Sequence, residues 1–216
     1  MEYILNAEAT VIDANTVEVS GRRYATRSIV LGTGVASYLP DIPGIDLPGV
    51  FDYVSLIEEL DYEPSSCVII GGSKVALEYG SFYQAAGCQT TIVSRSPLMR
   101  TASLHHVDED LRTYVVDGMR KRGMEILEGA EPIEVIGNGR VSGVRVRLAD
   151  GSERTIDTDF VFIGTGERAH SQPYVDALGV EVDDRGYRAG RTRRRCPTRC
   201  CGWCTGGPRP RRCSRR

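Results

Sequence analysis

The chain has 216 residues, a formal net charge of −2, 41% hydrophobic residues and seven cysteines. That is enough for one ordinary domain or a domain and a half, and no apolar run reaches the roughly 20 residues of a bilayer-spanning helix, so no membrane partner is expected. The charge is unevenly spread: residues 187–216 carry eleven arginines and no acid, so residues 1–186 hold sixteen bases against all 29 acids and offer no general attraction to nucleic acid.

In chain order, MEYILNAEATVID has no basic region leading into an apolar core, so no signal peptide is expected and a cytoplasmic location is the default. EATVIDANTVEV, residues 8–19, holds two short strand-like runs around Asp13-Ala14-Asn15, and GRRYATRSIVLGTG predicts a further strand ending at Thr33-Gly34. Pro40, Pro43 and Pro48 make the next stretch a connector, because proline fixes φ and donates nothing to a ladder. SLIEEL, residues 55–60, predicts a short helix capped by Ser55. Residues 67–71 are a short apolar run suited to a buried parallel strand, and Val75, Ala76, Tyr79, Phe82 and Tyr83 recur at helical spacing over 74–86. QTTIVS is a second β-branched run, and strand, glycine turn, helix and strand within about thirty residues form a βαβ unit. A helix is expected from Val107 to Arg122 with Leu111, Tyr114, Val115 and Met119 on one face. Strands follow at MEILEG, PIEVIG, GVRVRLA and TDFVFIGTG, the middle pair joined by a hairpin at Gly137-Asn138-Gly139.

The turn of the βαβ unit reads Gly71-Gly72-Ser73-Lys74-Val75-Ala76. In a dinucleotide fold the first glycine makes the tight turn, the second lets backbone approach a pyrophosphate, and the third, often alanine, lets helix pack on strand. Gly71 and Ala76 fill the outer places and Ser73 the middle one; the helix N-terminus still offers its dipole to a phosphate. The strand after the helix ends in VSRSPLMR, which has no acid to accept from a ribose hydroxyl but has Arg95 and Arg100 to take the 2′-phosphate of NADPH. Gly-Thr-Gly occurs twice, at 32–34 and 164–166, flanking the unit. His105 and His106, beside Asp108, Glu109 and Asp110, read as a solvated helix start and not a metal site. Cys67 and Cys88, in apolar elements, fit a reduced cytoplasmic domain.

A strand ending in Gly-Thr-Gly, an IPG linker, a nucleotide-binding βαβ and a return strand ending in Gly-Thr-Gly together resemble the pyridine nucleotide-disulfide oxidoreductases over residues 5–186. FDYVSLIEELDYEP, GGSKVALEYG, MRKRGMEILEG and TDFVFIGTGE are most similar to a thioether-cleaving, carboxylating branch of that family, which shares the Ser73-Lys74 departure and Glu167. The resemblance implies an α/β fold: a Rossmann-like NAD(P)-binding domain of parallel sheet, βαβ and β-meander at 51–163, flanked by parts of an FAD-binding domain at 1–50 and 164–186. It implies that Gly71, Gly72, Ser73 and Ala76 hold the NADPH pyrophosphate, that Glu78 reaches the nicotinamide side, and that Thr33, Gly34, Gly164 and Gly166 lie near FAD. Hydride would pass from NADPH to flavin and on to a cysteine disulfide, acting on a disulfide or thioether substrate in a homodimer.

The family's FAD glycine turn, redox cysteine pair and dimerisation domain find no match in this sequence, so the expectation is a piece of such an enzyme, with no catalytic residue of its own and no retained flavin. A lipoamide- or mercury-type reductase, a non-catalytic NADP-binding module and a pseudogene product are the alternatives. From about Tyr187 the sequence turns into RAGRTRRRCPTRCCGWCTGGPRPRRCSRR, rich in Arg, Cys, Gly and Pro. With only Lys74 and Lys121 as lysines, the body points to a GC-rich gene, and the tail is expected to be out-of-frame translation without a core.

Overall fold

A computed structural model describes residues 2–100, 104 and 106–187. The expected aberrant tail, apart from Tyr187, lies outside the described residues, as does His105.

The architecture is three-layered. At its centre is a five-stranded sheet in the order β5 (Val50–Phe51), β12 (Phe160–Ile163), β6 (Ser66–Ile70), β7 (Gln89–Ser94), β8 (Glu125–Glu128), and every neighbouring pair in it is parallel. Its strands read as unbroken apolar runs because both faces are covered. Alternate residues go to opposite faces. Cys67, Ile69, Ile92, Phe160 and Phe162 face α1 (Ser55–Glu59), α2 (Lys74–Ala85) and α3 (Glu109–Lys121), packing with Leu56, Ala76, Leu77, Tyr83, Val116 and Met119. Val68, Ile70, Val93, Val161 and Ile163 face the antiparallel meander β9 (Glu131–Gly137), β10 (Val141–Arg147), β11 (Glu153–Asp157), through Val135, Val141, Val144 and Val146. Phe160 and Phe162 are fully buried; truncating either to alanine costs about 3–5 kcal/mol.

Outside this body, β1 (Ala9–Asp13), β2 (Thr16–Val19) and β3 (Arg22–Ala25) form a separate antiparallel sheet in which Val11 alone is buried. A two-stranded ribbon of β4 (Val35–Ser37) and β13 (Glu167–Ala169) runs between the parts. The last helix, α4 (Gln172–Leu178), ends at Gly179 in the left-handed conformation and lies against β1.

Four expectations are corrected. The strand predicted up to Gly34 stops at Ala25; Ser28–Gly34 has no regular structure, and Val30 is 93% exposed. A β-branched run becomes a strand only with a ladder neighbour, and among the described residues this one has none. The cap of α1 is not Ser55, which is helical; Asp52 Oδ1 accepts from the Val54 and Ser55 N–H groups at 3.0 and 2.9 Å. On α3, Leu111, Tyr114 and Val115 face out, at 58, 80 and 43% exposure, while Val116 and Met119 face the core. The apolar spacing was real, but the helix docks by the adjoining stripe. On α2, likewise, Phe82 is 65% exposed and Gly80 is buried instead. A Cβ on Gly80 would stand 3.2–3.4 Å from the methyls of Ile92, Met124 and Ile69.

Candidate functional site

All five parallel strands end at one edge of the central sheet, and the expected turn is there. β6 gives way to Gly71, whose φ of +125° only glycine adopts freely. Its N–H donates to the Val93 carbonyl at 2.9 Å, and the Gly164 N–H donates to the Ile70 carbonyl at 2.8 Å. A Cβ on Gly71 would lie 2.2 Å from the Gly164 carbonyl oxygen, so the first glycine of the turn is fixed by the strand beside it. Ser73 is the N-cap of α2: its Oγ accepts the Ala76 N–H at 3.3 Å, and its carbonyl accepts the Leu77 N–H at 3.2 Å. The serine therefore stands at the head of α2 and closes its first turn, leaving the positive end of the helix dipole aimed over the sheet edge. Ala76 is fully buried, and a Cβ on Gly164 would sit 3.1 Å from its Cβ. Two small residues let helix and strand approach.

Arg95 follows directly on β7, one residue past the edge, since Ile70 pairs with Val93. The turn beneath it is tightened by Ser94, buried, whose Oγ donates to the Ser96 carbonyl at 2.7 Å. Arg100 closes a 3₁₀ turn, Leu98–Arg100, that is tied to the neighbouring strand: the Leu98 N–H donates to Glu128 Oε1 at 2.7 Å, and Arg120 holds the other oxygen of Glu128 at 2.9 Å. Both Arg95 and Arg100 are exposed. Glu78 is one helical turn beyond Lys74 and paired with it at 3.4 Å, both side chains more than half exposed. Lys74, which sequence reasoning quoted without a role, thus places a cation in the first turn of α2, beside the cap. Its signal in the sequence was one of only two lysines, with Lys121, in a chain that otherwise uses arginine.

The two Gly-Thr-Gly segments are joined through the β4–β13 ribbon. At one end, Thr165 Oγ1 donates to the Tyr38 carbonyl at 2.5 Å and the Tyr38 N–H donates to the Gly166 carbonyl at 2.8 Å. At the other, Thr33 Oγ1 donates to the His170 carbonyl at 3.2 Å, and the His170 N–H donates to the Gly34 carbonyl at 3.3 Å. Gly34 and Gly166 take positive φ, +76° and +114°. The Arg168 guanidinium lies 4.5 Å over the Tyr38 ring. Gly164 therefore lies against both Gly71 and Ala76 at the sheet edge, with Ser73 and Arg95 in the adjoining turns, whereas Thr33 and Gly34 gather at the far end of the ribbon.

Cys67 and Cys88 lie elsewhere, 1% and 5% exposed. Burial pushes the Cys67 thiol up to about 12 and raises that of Cys88 as well. Thiols held protonated in this way are poor nucleophiles. Among the described residues no group of three or more His, Cys, Asp or Glu side chains is placed to hold a metal ion, and no helix is long and apolar enough to cross a membrane.

Comparison with known proteins agrees with this geometry. The chain is 27% identical over 184 residues to a mercuric reductase of Bacillus cereus, covering 85% of the chain and 28% of that protein. It is 29% identical over 184 residues to a dihydrolipoyl dehydrogenase of Acholeplasma laidlawii, covering 83% and 52% respectively. The chain thus spans between about a quarter and a half of the length of these relatives. Its fold matches the ferredoxin reductase for the CYP199A2 system of Rhodopseudomonas palustris with a TM-score of 0.70 at 22% identity, covering 83% of this chain and 45% of that one. It also matches the HOCl-induced flavoprotein disulfide reductase RclA of Escherichia coli at 0.68 and 23%, covering 84% and 40%. The model of the family described as pyridine nucleotide-disulphide oxidoreductase matches residues 2–199, and the chain belongs to that family.

Proposed function

We propose that this chain carries the NADPH-binding unit of an FAD-dependent disulfide oxidoreductase, with residues 51–163 as the nucleotide unit and residues 1–50 and 164–186 on the flavin side. The observation that carries the proposal is the turn at the carboxyl edge of the sheet, where Gly71 is closed on Gly164, α2 starts at a capped Ser73, and Arg95 stands at the end of β7 with no acid between Ser94 and Arg100. These residues fit a dinucleotide. Backbone free of a Cβ and a helix dipole suit a pyrophosphate, and Lys74 adds charge to it. A guanidinium in place of a carboxylate suits a 2′-phosphate, through charge-assisted hydrogen bonds. When bound, the nicotinamide supplies hydride to the flavin. This chain's residues bind and orient: Arg95, with Arg100 beside it, takes the 2′-phosphate; Ser73 and Lys74 face the pyrophosphate; Glu78 reaches toward the nicotinamide end; and Thr33, Gly34, Gly164 and Gly166 shape the backbone on the flavin side. No thiol chemistry is assigned to Cys67 or Cys88.

The measurement is a titration of the chain with NADPH and NADH. NADPH binds more tightly, by roughly tenfold or more from one to two charged hydrogen bonds, and Arg95→Glu reverses the order. Equal affinity for both nucleotides would defeat the assignment of Arg95.

For the substrate, the segments GGSKVALEYG and TDFVFIGTGE favour 2-oxopropyl-coenzyme M reductase (carboxylating), in which a dithiol cleaves a thioether and carbon dioxide captures the product. A disulfide- or metal-reducing enzyme is the second reading, favoured by the identities to a mercuric reductase and a dihydrolipoyl dehydrogenase. Turnover assays with the thioether, with Hg(II) and with dihydrolipoamide separate them, run on the chain and on any longer protein that contains it.

A further inference from the structure

We infer that Glu128 is the positioning residue of the 2′-phosphate site: its carboxylate holds the loop from Arg95 to Arg100 in the shape that keeps both cations at the sheet edge. This rests on the reading of Arg95 and Arg100 as the residues that take the phosphate. The loop leaves the sheet between two neighbouring parallel strands. Ser94, the last residue of β7, pairs with Glu128, the last residue of β8. The Glu128 backbone is therefore one inter-strand spacing, about 4.8 Å, from the residue that precedes Arg95. The loop's start is closed through Ser94: its carbonyl accepts the Ala130 N–H at 3.1 Å, and its hydroxyl donates to the Ser96 carbonyl at 2.7 Å. Its middle is closed by Glu128, whose Oε1 accepts the Leu98 N–H at 2.7 Å. The Leu98 side chain is fully buried, and the Arg100 N–H donates to the Pro97 carbonyl at 2.8 Å. Arg95 and Arg100, both exposed, thus flank a span pinned at its centre. A loop already held in place loses less freedom when a nucleotide binds.

A carboxylate at this edge has a rival role. In a dinucleotide fold an acid near the end of a strand accepts from the ribose 2′-hydroxyl and favours NADH, and Glu128 is one strand away from that place. Its hydrogen bonds point the other way. Oε1 is taken by the Leu98 N–H, and Oε2 by the Arg120 guanidinium at 2.9 Å. Each oxygen has a donor from this chain, and Arg120 neutralises a charge that would otherwise repel a phosphate bound at Arg95. Two oxygens on one side chain join three elements: β8, the 3₁₀ turn and α3.

Fluorescence titration of the full chain with NADPH and NADH tests it, with adenosine 2′,5′-bisphosphate and 5′-AMP as probes of the phosphate alone. Glu128→Ala weakens NADPH and the bisphosphate by about five- to tenfold, the worth of one hydrogen bond, and leaves NADH and 5′-AMP close to their wild-type affinities. Glu128→Gln, which keeps an acceptor for the Leu98 N–H, retains most of the preference for NADPH. Hydrogen exchange gives a readout free of any nucleotide: the Leu98 amide exchanges faster in Glu128→Ala, while those of Ile92 and Val93 keep their rates. Should Glu128→Ala fail to fold by far-UV circular dichroism, Arg120→Met decides. It leaves the carboxylate unneutralised and lowers NADPH affinity alone, and a preference retained there overturns the inference. So does a Glu128→Ala chain that prefers NADPH as strongly as the wild type, or one whose Leu98 amide is unchanged. A larger loss for NADH than for NADPH also overturns it, and makes Glu128 a ribose acceptor. A wild-type chain that binds both nucleotides equally removes the assignment of Arg95, and this one with it; a wild-type preference that no Glu128 variant diminishes removes this one only.

Discussion

At Gly71 one hydrogen atom separates a turn from a collision. The residue combines a left-handed φ with a neighbouring carbonyl 2.2 Å from where a Cβ would be, so Gly71→Ala must move either β6 or β12. Both are in the core, and the expected loss is on the order of 3–5 kcal/mol, read as the shift of a urea midpoint. Gly164→Ala meets the Ala76 methyl at 3.1 Å, with the Ala76 Cα and the Phe162 ring at 3.5 Å, and costs about 1–3 kcal/mol. Asp52 supplies a pH dependence. Burial works against its carboxylate, but hydrogen bonds from the Ser55 N–H, the Ser37 and Ser55 hydroxyls and the Val54 N–H outweigh it and hold the group below its ordinary 3.8. Its folded-state pKa is depressed, so its contribution to stability is present above the unfolded value near 4 and is lost as pH falls through the folded one. Melting temperatures between pH 3 and 7 should fall less steeply toward acid in Asp52→Asn than in the wild type. At this scale the turn from β6 into α2 was legible, because glycine and alanine at fixed offsets have a steric meaning. The Asp52 cap was not: its acceptor precedes the helix by three residues, and Ser55 offered a nearer hydroxyl.

Among the elements, those buried on both faces were legible and those buried on one face were less so. β6, β7 and β12 read as apolar runs because helices cover one side and the meander the other. β11 was missed: its sequence, ERTID, is exposed at every position but Ile156, and it is held by its ladder to β10 and by ion pairs such as Arg147–Glu153, 2.9 Å. The reverse failure occurred at 28–34, where an apolar run has no ladder neighbour. α2 yields a test of what serine does in the glycine position. Ser73→Ala removes the cap and costs about 1 kcal/mol, whereas Ser73→Gly costs only a few tenths. Denaturant midpoints should therefore rank wild type, then Gly, then Ala. If alanine proves as stable as glycine, the bond from the Ala76 N–H contributes nothing. The same two variants titrated with NADPH separate capping from ligand contact: loss of affinity in both points to the hydroxyl, and loss in alanine alone to the methyl.

For the whole molecule, the distribution of buried side chains sets the order in which parts open. The central sheet has apolar layers on both faces, whereas the β1–β3 sheet buries Val11 alone and joins the rest chiefly through α4 and the β4–β13 ribbon. Local opening follows the density of buried contacts. In native-state hydrogen exchange the amides of Ile69, Ile92 and Phe162 should therefore be slowest, approaching the global unfolding free energy, and those of Val17, Glu18 and Tyr24 should exchange far faster, by sub-global opening. NADPH extends the argument. A ligand that binds only the folded nucleotide unit stabilises it by about 2.7 kcal/mol at a hundred times its Kd. Protection of the central sheet should rise by that amount, about a hundredfold in rate, while the β1–β3 amides, which open without disturbing the turn at Gly71, keep their rates. An equal rise in both sheets would mean that they unfold as one cooperative unit, and the ribbon would then be a rigid strut between them.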